Sequence, residues 1–256
     1  MAATIPSLRK VAFVTGASYG IGAASALALA DDGFDIAVSA TRLSNLDSTL
    51  SQLKNAGCRT AAVELDLCSQ KSIDKAHEQV IKVLGQVDVL VNNAGVNLRR
   101  HALEVTPAEW DSVMHANAGG TFFLTQQFAR HLVETKRPGC VVNIASTHGI
   151  LGAAERSTYG ISKAAILQMT RMLAIEWAPH GIRVNAVAPG RVNTPSPSRA
   201  ATTSDPKYMQ VMADRVPLRR LATAEDVARA VAYLAGAGGE FITGQTLVID
   251  GGLTVY

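Results

Sequence analysis

The stretch "KVAFVTGASYGIG", residues 10–22, decides the fold. Its first half is a short apolar run that ends at Thr15. Its second half spaces Gly16, Gly20 and Gly22 as G-x-x-x-G-x-G. An apolar run with little polar alternation reads as a strand covered on both faces. The chain must then turn sharply into a helix and let its backbone approach a ligand. Glycine permits both because it has no Cβ. A helix opening near Gly20 offers free N–H groups and the positive end of its dipole to a pyrophosphate. A glycine loop that follows the first strand and opens a helix is in the context a dinucleotide site requires.

The same alternation continues along the chain. The runs "DIAVSA" (35–40), "TAAVEL" (60–65), "VDVLVN" (87–92), "CVVNIAS" (140–146), "IRVNAVA" (182–188) and "TLVID" (246–250) read as further strands. Helical patterns lie between them, at 21–32, 46–56, 71–84, 107–115, 122–133, 157–178 and 224–234. Strand–helix–strand alternation with right-handed crossovers predicts an α/β Rossmann fold, a doubly wound seven-stranded parallel sheet with helices on both faces. No linker divides the chain, so residues 1–256 are expected to form a single dinucleotide-binding catalytic domain. A substrate loop is expected at about residues 190–215, where "NTPSPSRAATTSDP" (193–206) is rich in Pro, Ser and Thr. Such a long loop inside a compact domain is functional or mobile.

Composition removes several other classes. At 48% hydrophobic and 18% charged residues the chain can bury a sizeable core and is too apolar for disorder. A formal charge of +3 with no Lys/Arg run gives no footprint for nucleic acid. Cys58, Cys68 and Cys140 form no C-x-x-C pair, and the six histidines show no ligand spacing. Neither a disulfide framework nor a metal site is expected. The N-terminus has no signal-peptide core and no run approaches the ~18 apolar residues of a membrane span. The expectation is a soluble, cytoplasmic protein acting on a small molecule.

Two further stretches bear on chemistry. The second strand ends "SATR", with Ala40 about where NAD-binding folds place an acid on the ribose 2′-OH, and with Arg42 two residues on. An absent acid and a nearby guanidinium favour NADP, with NAD the alternative. In "YGISK" (159–163), Tyr159 and Lys163 stand about one helical turn apart and share a face. By itself that spacing suits a plain helix surface as well as catalysis.

The motifs "TGASYGIG", "NNAG" (92–95), Asn117, Ser146, "YGISK" and "PGRVNT" (189–194) occur in one order, with Ser146 13 residues before Tyr159. With them the chain resembles the short-chain dehydrogenase/reductase family over essentially its whole length. The resemblance implies that Tyr159 is the acid–base residue, giving its proton to a carbonyl oxygen as hydride arrives from a nicotinamide. A phenol with a reference pKa near ~10 needs a nearby positive charge to work at neutral pH, and Lys163 is implied to supply it. Ser146 is implied to hold the substrate oxygen, and Asn117 to hold, through its carbonyl, a water linking Lys163 to solvent.

For the cofactor, the resemblance implies Asp66 and Leu67 at the adenine, Asn93, Ala94 and Gly95 on the adenosine side, and Ile21 under the pyrophosphate. Val192 and Thr194 are implied to meet the carboxamide. Ser18, Tyr19, Thr41, Pro189 and Gly190 complete the expected cofactor contacts, with Tyr159 and Lys163 at the nicotinamide end. Asn92 reads equally as structural. Many NADP-using members carry Arg or Lys where this chain has Tyr19, which leaves Arg42 nearly alone as a phosphate partner.

The variable pocket is expected from "VNLRRHALE" (96–104), "THGILG" (147–152) and the loop from Arg191 onward. The first of these is similar to members acting on sugar acids, such as gluconate and deoxy-keto-gluconate dehydrogenases. Arg99, Arg100, His148 and Arg191 are therefore the substrate candidates, suited to a carboxylate. The alternative is a 3-oxoacyl-carrier-protein reductase: Arg137 matches one carrier-gripping position, but His180 stands where a second Arg is expected. A non-catalytic dinucleotide sensor is an alternative of another class, although such proteins commonly lack the Tyr or the Lys present here. Apolar residues on more than one face of 122–133 and 157–178 hint at burial against another subunit. The resemblance implies a homotetramer built on those helices and on the C-terminal "GQTLVIDGGLTVY".

Overall fold

The computed structural model describes residues 9–194 and 205–255. Seven strands form one parallel sheet: β1 (Val11–Val14), β2 (Asp35–Ala40), β3 (Thr60–Glu64), β4 (Val89–Asn92), β5 (Gly139–Ile144), β6 (Ile182–Pro189) and β7 (Thr246–Ile249). Their order is β3-β2-β1-β4-β5-β6-β7. The helices are α1 (Gly20–Asp31), α2 (Asp47–Asn55), α3 (Gln70–Leu84), α4 (Pro107–Met114), α5 (Thr121–Glu134), α6 (Ser157–Trp177), α7 (Pro206–Asp214) and α8 (Ala224–Ala235).

The apolar runs form central strands because helices cover both faces. In β1, Ala12 and Val14 pack with Leu29 of α1 and with Val227 and Val231 of α8. Val11 and Phe13 point the other way, into a cluster with Val80 of α3 and Leu124 and Phe128 of α5. A strand buried on both sides has no need of polar alternation, which is why the run looked continuous. The strand order reverses between β1 and β4, and open α/β sheets bind ligands at the carboxyl ends of the strands there.

A buried polar chain ties the central strands to the helices behind them. Asn92 on β4 donates to Thr125 Oγ1 at 2.7 Å and to Asn143 Oδ1 at 2.8 Å, and Asn143 on β5 donates to Thr170 Oγ1 at 2.9 Å. Satisfied networks of this kind fix one arrangement, since any broken link leaves a buried polar group without a partner. Asn92 is thus structural.

Two features depart from the sequence reading. The helices expected at 107–115 and 122–133 run into each other through a π-helical turn, His115–Gly120, that carries Asn117. The expected substrate loop contains α7, whose N-terminus is capped by Asp205 accepting from Lys207 N at 2.9 Å, with Pro206 at its first position. Most of the Pro-, Ser- and Thr-rich loop, residues 195–204, lies outside the described residues.

Candidate active site

The glycine loop crosses the switch point in the conformation its residues allow. Gly16 has φ +62° and Gly20 has φ +61°, the left-handed region that costs other residues strain. A Cβ on Gly16 would stand 2.8 Å from Ala94 Cα. Gly22 serves packing instead: a Cβ there would meet Gly16 O at 2.4 Å and Asn93 Nδ2 at 2.5 Å. Asn93 locks the loop to the end of β4 by donating through Nδ2 to the carbonyls of Thr15 and Gly16, each at 2.9 Å.

A groove of about 520 Å³ runs over this loop. It is lined by Gly16, Ser18, Tyr19, Gly20 and Ile21 of the loop, by Asn93, Ala94 and Gly95 after β4, and by Ser39, Ala40, Thr41 and Asn45 at and after the end of β2. The first turn of α1 carries no acid, and its N-cap Tyr19 makes no side-chain capping bond. Those N–H groups and the glycine backbone fit a pyrophosphate, and none of the described lining residues is a carboxylate that would repel it.

Four of the expected cofactor residues stand off the lining. Gly22 lies beneath the loop. Arg42 is exposed, between Thr41 and the lining residue Asn45. Asp66 is exposed too and follows the lining residue Leu65; its carboxylate accepts from Cys68 N at 2.9 Å, and its own N–H donates to Ser72 Oγ at 2.9 Å. Leu67 packs into the core beside α3 and α5.

At its inner end the groove passes Ile21, Asn93, Gly95 and Thr194 into a second cavity of about 180 Å³, lined also by Ser146, Tyr159, Lys163, Pro189, Gly190 and Val192. Ser146 follows β5 and caps a short turn, its Oγ accepting from His148 N at 3.2 Å. Tyr159 and Lys163 lie one turn apart on α6, with Lys163 Nζ 5.8 Å from the Tyr159 ring centroid. Lys163 is buried and donates to Ile144 O at 2.7 Å. Burial lowers its pKa from 10.5 to about 8, because desolvation penalises the charged ammonium.

Asn117 stands behind this cavity, wholly buried. Its side chain accepts from Val96 N at 2.7 Å and donates to Val96 O at 2.9 Å and to Ser162 Oγ at 3.0 Å. Ser162 donates in turn to Tyr159 O at 2.7 Å. The π-turn thus braces the segment after β4 against the helix that carries Tyr159 and Lys163.

A third cavity, of about 160 Å³, shares Ser146, Tyr159, Gly190 and Val192 with the second and adds His148, Arg156, Arg191, Tyr208 and Met212. The His148 and Tyr159 rings meet edge to face at 6.1 Å. The pKa of His148 is lowered, first by burial and then by the charges of Arg156 and Arg191. Arg156 donates to Asn97 Oδ1 at 2.7 Å.

Arg99 and Arg100 are not among the residues lining these cavities. Arg99 is paired to Glu155, which also meets His101 Nε2 at 3.2 Å, and Arg100 is paired to Glu109 at 2.6 Å. Both guanidiniums are exposed, so carboxylates of the chain itself occupy the groups expected to bind a substrate acid. Arg156 escaped the sequence reading, while Asn97, Tyr208 and Met212 fell within the expected stretches 96–104 and 190–215 without being singled out. Arg156 had a usable signal, standing three residues before Tyr159 and thus on its side of the helix.

The family model described as enoyl-(acyl carrier protein) reductase matches residues 16–254. The 3-oxoacyl-(acyl-carrier-protein) reductase FabG of Thermotoga maritima is 34% identical over 246 residues, covering 96% of this chain and 98% of that protein. The 2-dehydro-3-deoxy-D-gluconate 5-dehydrogenase of Escherichia coli is 33% identical over 243 residues, covering 95% and 94%. A crystal structure of a candidate 2-deoxy-D-gluconate 3-dehydrogenase from Agrobacterium tumefaciens, with bound NADP, superposes with a TM-score of 0.88 at 34% identity, covering 98% of each chain. This chain is a short-chain dehydrogenase/reductase. As a member of that family it is an NAD(P)-dependent oxidoreductase acting between hydroxyl and carbonyl groups. Among the described residues of this dehydrogenase/reductase, no helix is long and apolar enough to cross a membrane, and no cluster of His, Cys, Asp or Glu is arranged to hold a metal.

Proposed function

We propose that this protein interconverts a ketone and a secondary alcohol on a small acid, a sugar acid or related keto acid, with Tyr159 as acid/base and NADP as cofactor. The observation that carries the reading is the placement of Ser146, Tyr159 and Lys163 in one cavity that opens onto the glycine-loop groove. The bound nicotinamide supplies or takes the hydride. Tyr159 Oη gives its proton to the carbonyl oxygen in reduction and takes it back in oxidation. Ser146 Oγ already accepts from His148 N, so its own proton is left to donate to the substrate oxygen and hold it. Lys163, one turn from Tyr159, stabilises the phenolate by its charge.

The choice of NADP rests on the end of β2. Ala40, Thr41 and Asn45 line the groove where an acid would exclude a 2′-phosphate, and the exposed Arg42 follows Thr41 in sequence. In parallel fluorescence titrations at fixed ionic strength, NADPH is expected to bind more tightly than NADH. Arg42→Ala should weaken NADPH by ~10-fold, the worth of one charge-assisted hydrogen bond, and leave NADH unchanged. Tighter NADH binding, or no effect of the substitution, would reverse the choice.

The carrier-protein alternative draws no support from Arg137, which is half-buried and bonded to Asp88. We also propose one catalytic domain assembled as a homotetramer along α5 and α6, where Phe123, Met172 and Ile175 are 47%, 50% and 76% exposed. Light scattering should give about four chains per particle, and Ile175→Glu should lower that mass. A monomeric wild type would overturn this assembly. The free thiols Cys58, Cys68 and Cys140 fit the reducing, cytoplasmic setting we assign to it.

A further inference from the structure

Arg191, just beyond β6, is a half-buried guanidinium with no carboxylate beside it among the described residues. Its Nη1 rests against Met212 Sδ at 2.9 Å, a weak acceptor, and its Nε is buried without any acceptor there. In sequence, residues 195–204 contain no Asp or Glu that could complete the pair. A guanidinium drawn out of water without a counter-charge is costly, and a fold retains one where an anion arrives to meet it.

The neighbourhood is positive on balance. Arg156 faces the same cavity, and the Glu155 carboxylate beside it is shared among Arg156, Arg99 and His101. His148 completes the wall, close enough to both arginines for each to oppose its protonation. The described lining contains no acid.

We propose that Arg191 binds the carboxylate of a short hydroxy- or oxo-acid substrate, with His148 and Arg156 around it, in the cavity it shares with Ser146 and Tyr159. This rests on the oxidoreductase reading above and narrows its substrate. A cavity of about 160 Å³ holds both the anion and the proton donor, so the carboxylate lies only a few bonds from the carbon that changes oxidation state. An uncharged thioester in the same place would leave Arg191 unmatched. The site therefore selects against acyl chains as well as for acids.

The test is calorimetric titration with malonate and with its neutral counterpart malonamide, with and without NADP present. Malonate should bind the wild type at least ~10-fold more tightly than malonamide, the worth of one charge-assisted contact. Arg191→Gln should bring malonate down to the malonamide level while NADPH affinity, which reports folding, is kept. Arg191→Lys should retain part of the preference, and Lys207→Gln, an exposed change on α7, should retain all of it. Equal binding of the two probes by the wild type, or an undiminished preference in Arg191→Gln, would overturn the proposal. NADPH consumption with 2,3-butanedione, which carries no charge, reports the redox reading separately. Turnover there without a malonate preference sinks the anion site alone. A malonate preference with no NADPH consumption on either 2,3-butanedione or a short oxo-acid such as acetoacetate upholds the anion site and sinks the redox reading.

Discussion

Tyr159→Phe is expected to lower kcat/KM for ketone reduction by ~10²–10⁴, the usual worth of a positioned proton donor, while the affinity for NADPH stays nearly unchanged. The two effects separate because only one atom is removed. The ring keeps its place beside Lys163 and against His148, so the cavity wall stays intact. What is lost is the Oη proton of a residue that lines both the second and third cavities, where we propose that cofactor and substrate meet.

A pH profile sharpens the expectation. Reduction consumes a protonated phenol, so its rate falls as pH rises through the pKa of Tyr159; oxidation consumes the phenolate and rises over the same range. Lys163 adds to the decline of reduction, since burial has brought its own pKa down to about 8 and its charge is lost above that value. Tyr159→Phe should flatten both limbs. Full activity in the variant would remove Tyr159 from the chemistry and leave the groove as a binding site only, the behaviour of a sensor.

How far the sequence could be read depended on the distance between interacting residues. The strands were legible because each is a local apolar run, and the glycine loop because backbone conformation is a local demand that Gly16 and Gly20 answer. Tyr159 and Lys163 were legible as a pair because a helical turn fixes their spacing. Arg99 and Arg100 were misleading for the opposite reason. Nothing near Arg99 announces Glu155, 56 positions away, and Glu109 serves two masters, pairing with Arg100 while closing a capping box on Thr106. Arg191 and Arg156 come from different elements, and only the folded chain shows that they face one cavity. The π-turn at Asn117 was hidden because Gly119 and Gly120 look like the end of a helix rather than a wide turn within one.

Asp88→Ala is expected to cost about 3–5 kcal/mol of stability, the range for breaking a buried ion pair from one side. The carboxylate lies just ahead of β4, 8% exposed, at the opposite end of the sheet from the proposed catalytic groups. One of its oxygens accepts from Val11 N at 2.7 Å and from Gln86 Nε2 at 3.0 Å, and the other meets Arg137. Truncation leaves the first N–H of β1 without an acceptor and Arg137 half-buried without its anion, and each loss adds to the cost. In urea without cofactor, the midpoint should fall while the slope is unchanged, since the same surface is exposed on unfolding. Asp88→Asn should lose less, because an amide oxygen can still accept from Val11. Adding Arg137→Leu to Asp88→Leu should recover part of the loss, since it removes the stranded charge rather than the pair. Activity per folded subunit should persist in all of these variants, because the damage lies at the amino end of the sheet and the chemistry at the carboxyl end. A loss below about 1 kcal/mol for Asp88→Ala would mean that water satisfies Val11 and Arg137 as well as the carboxylate does. The pair would then rank with ordinary surface ion pairs, and Arg137 would be free to grip an acidic partner after all.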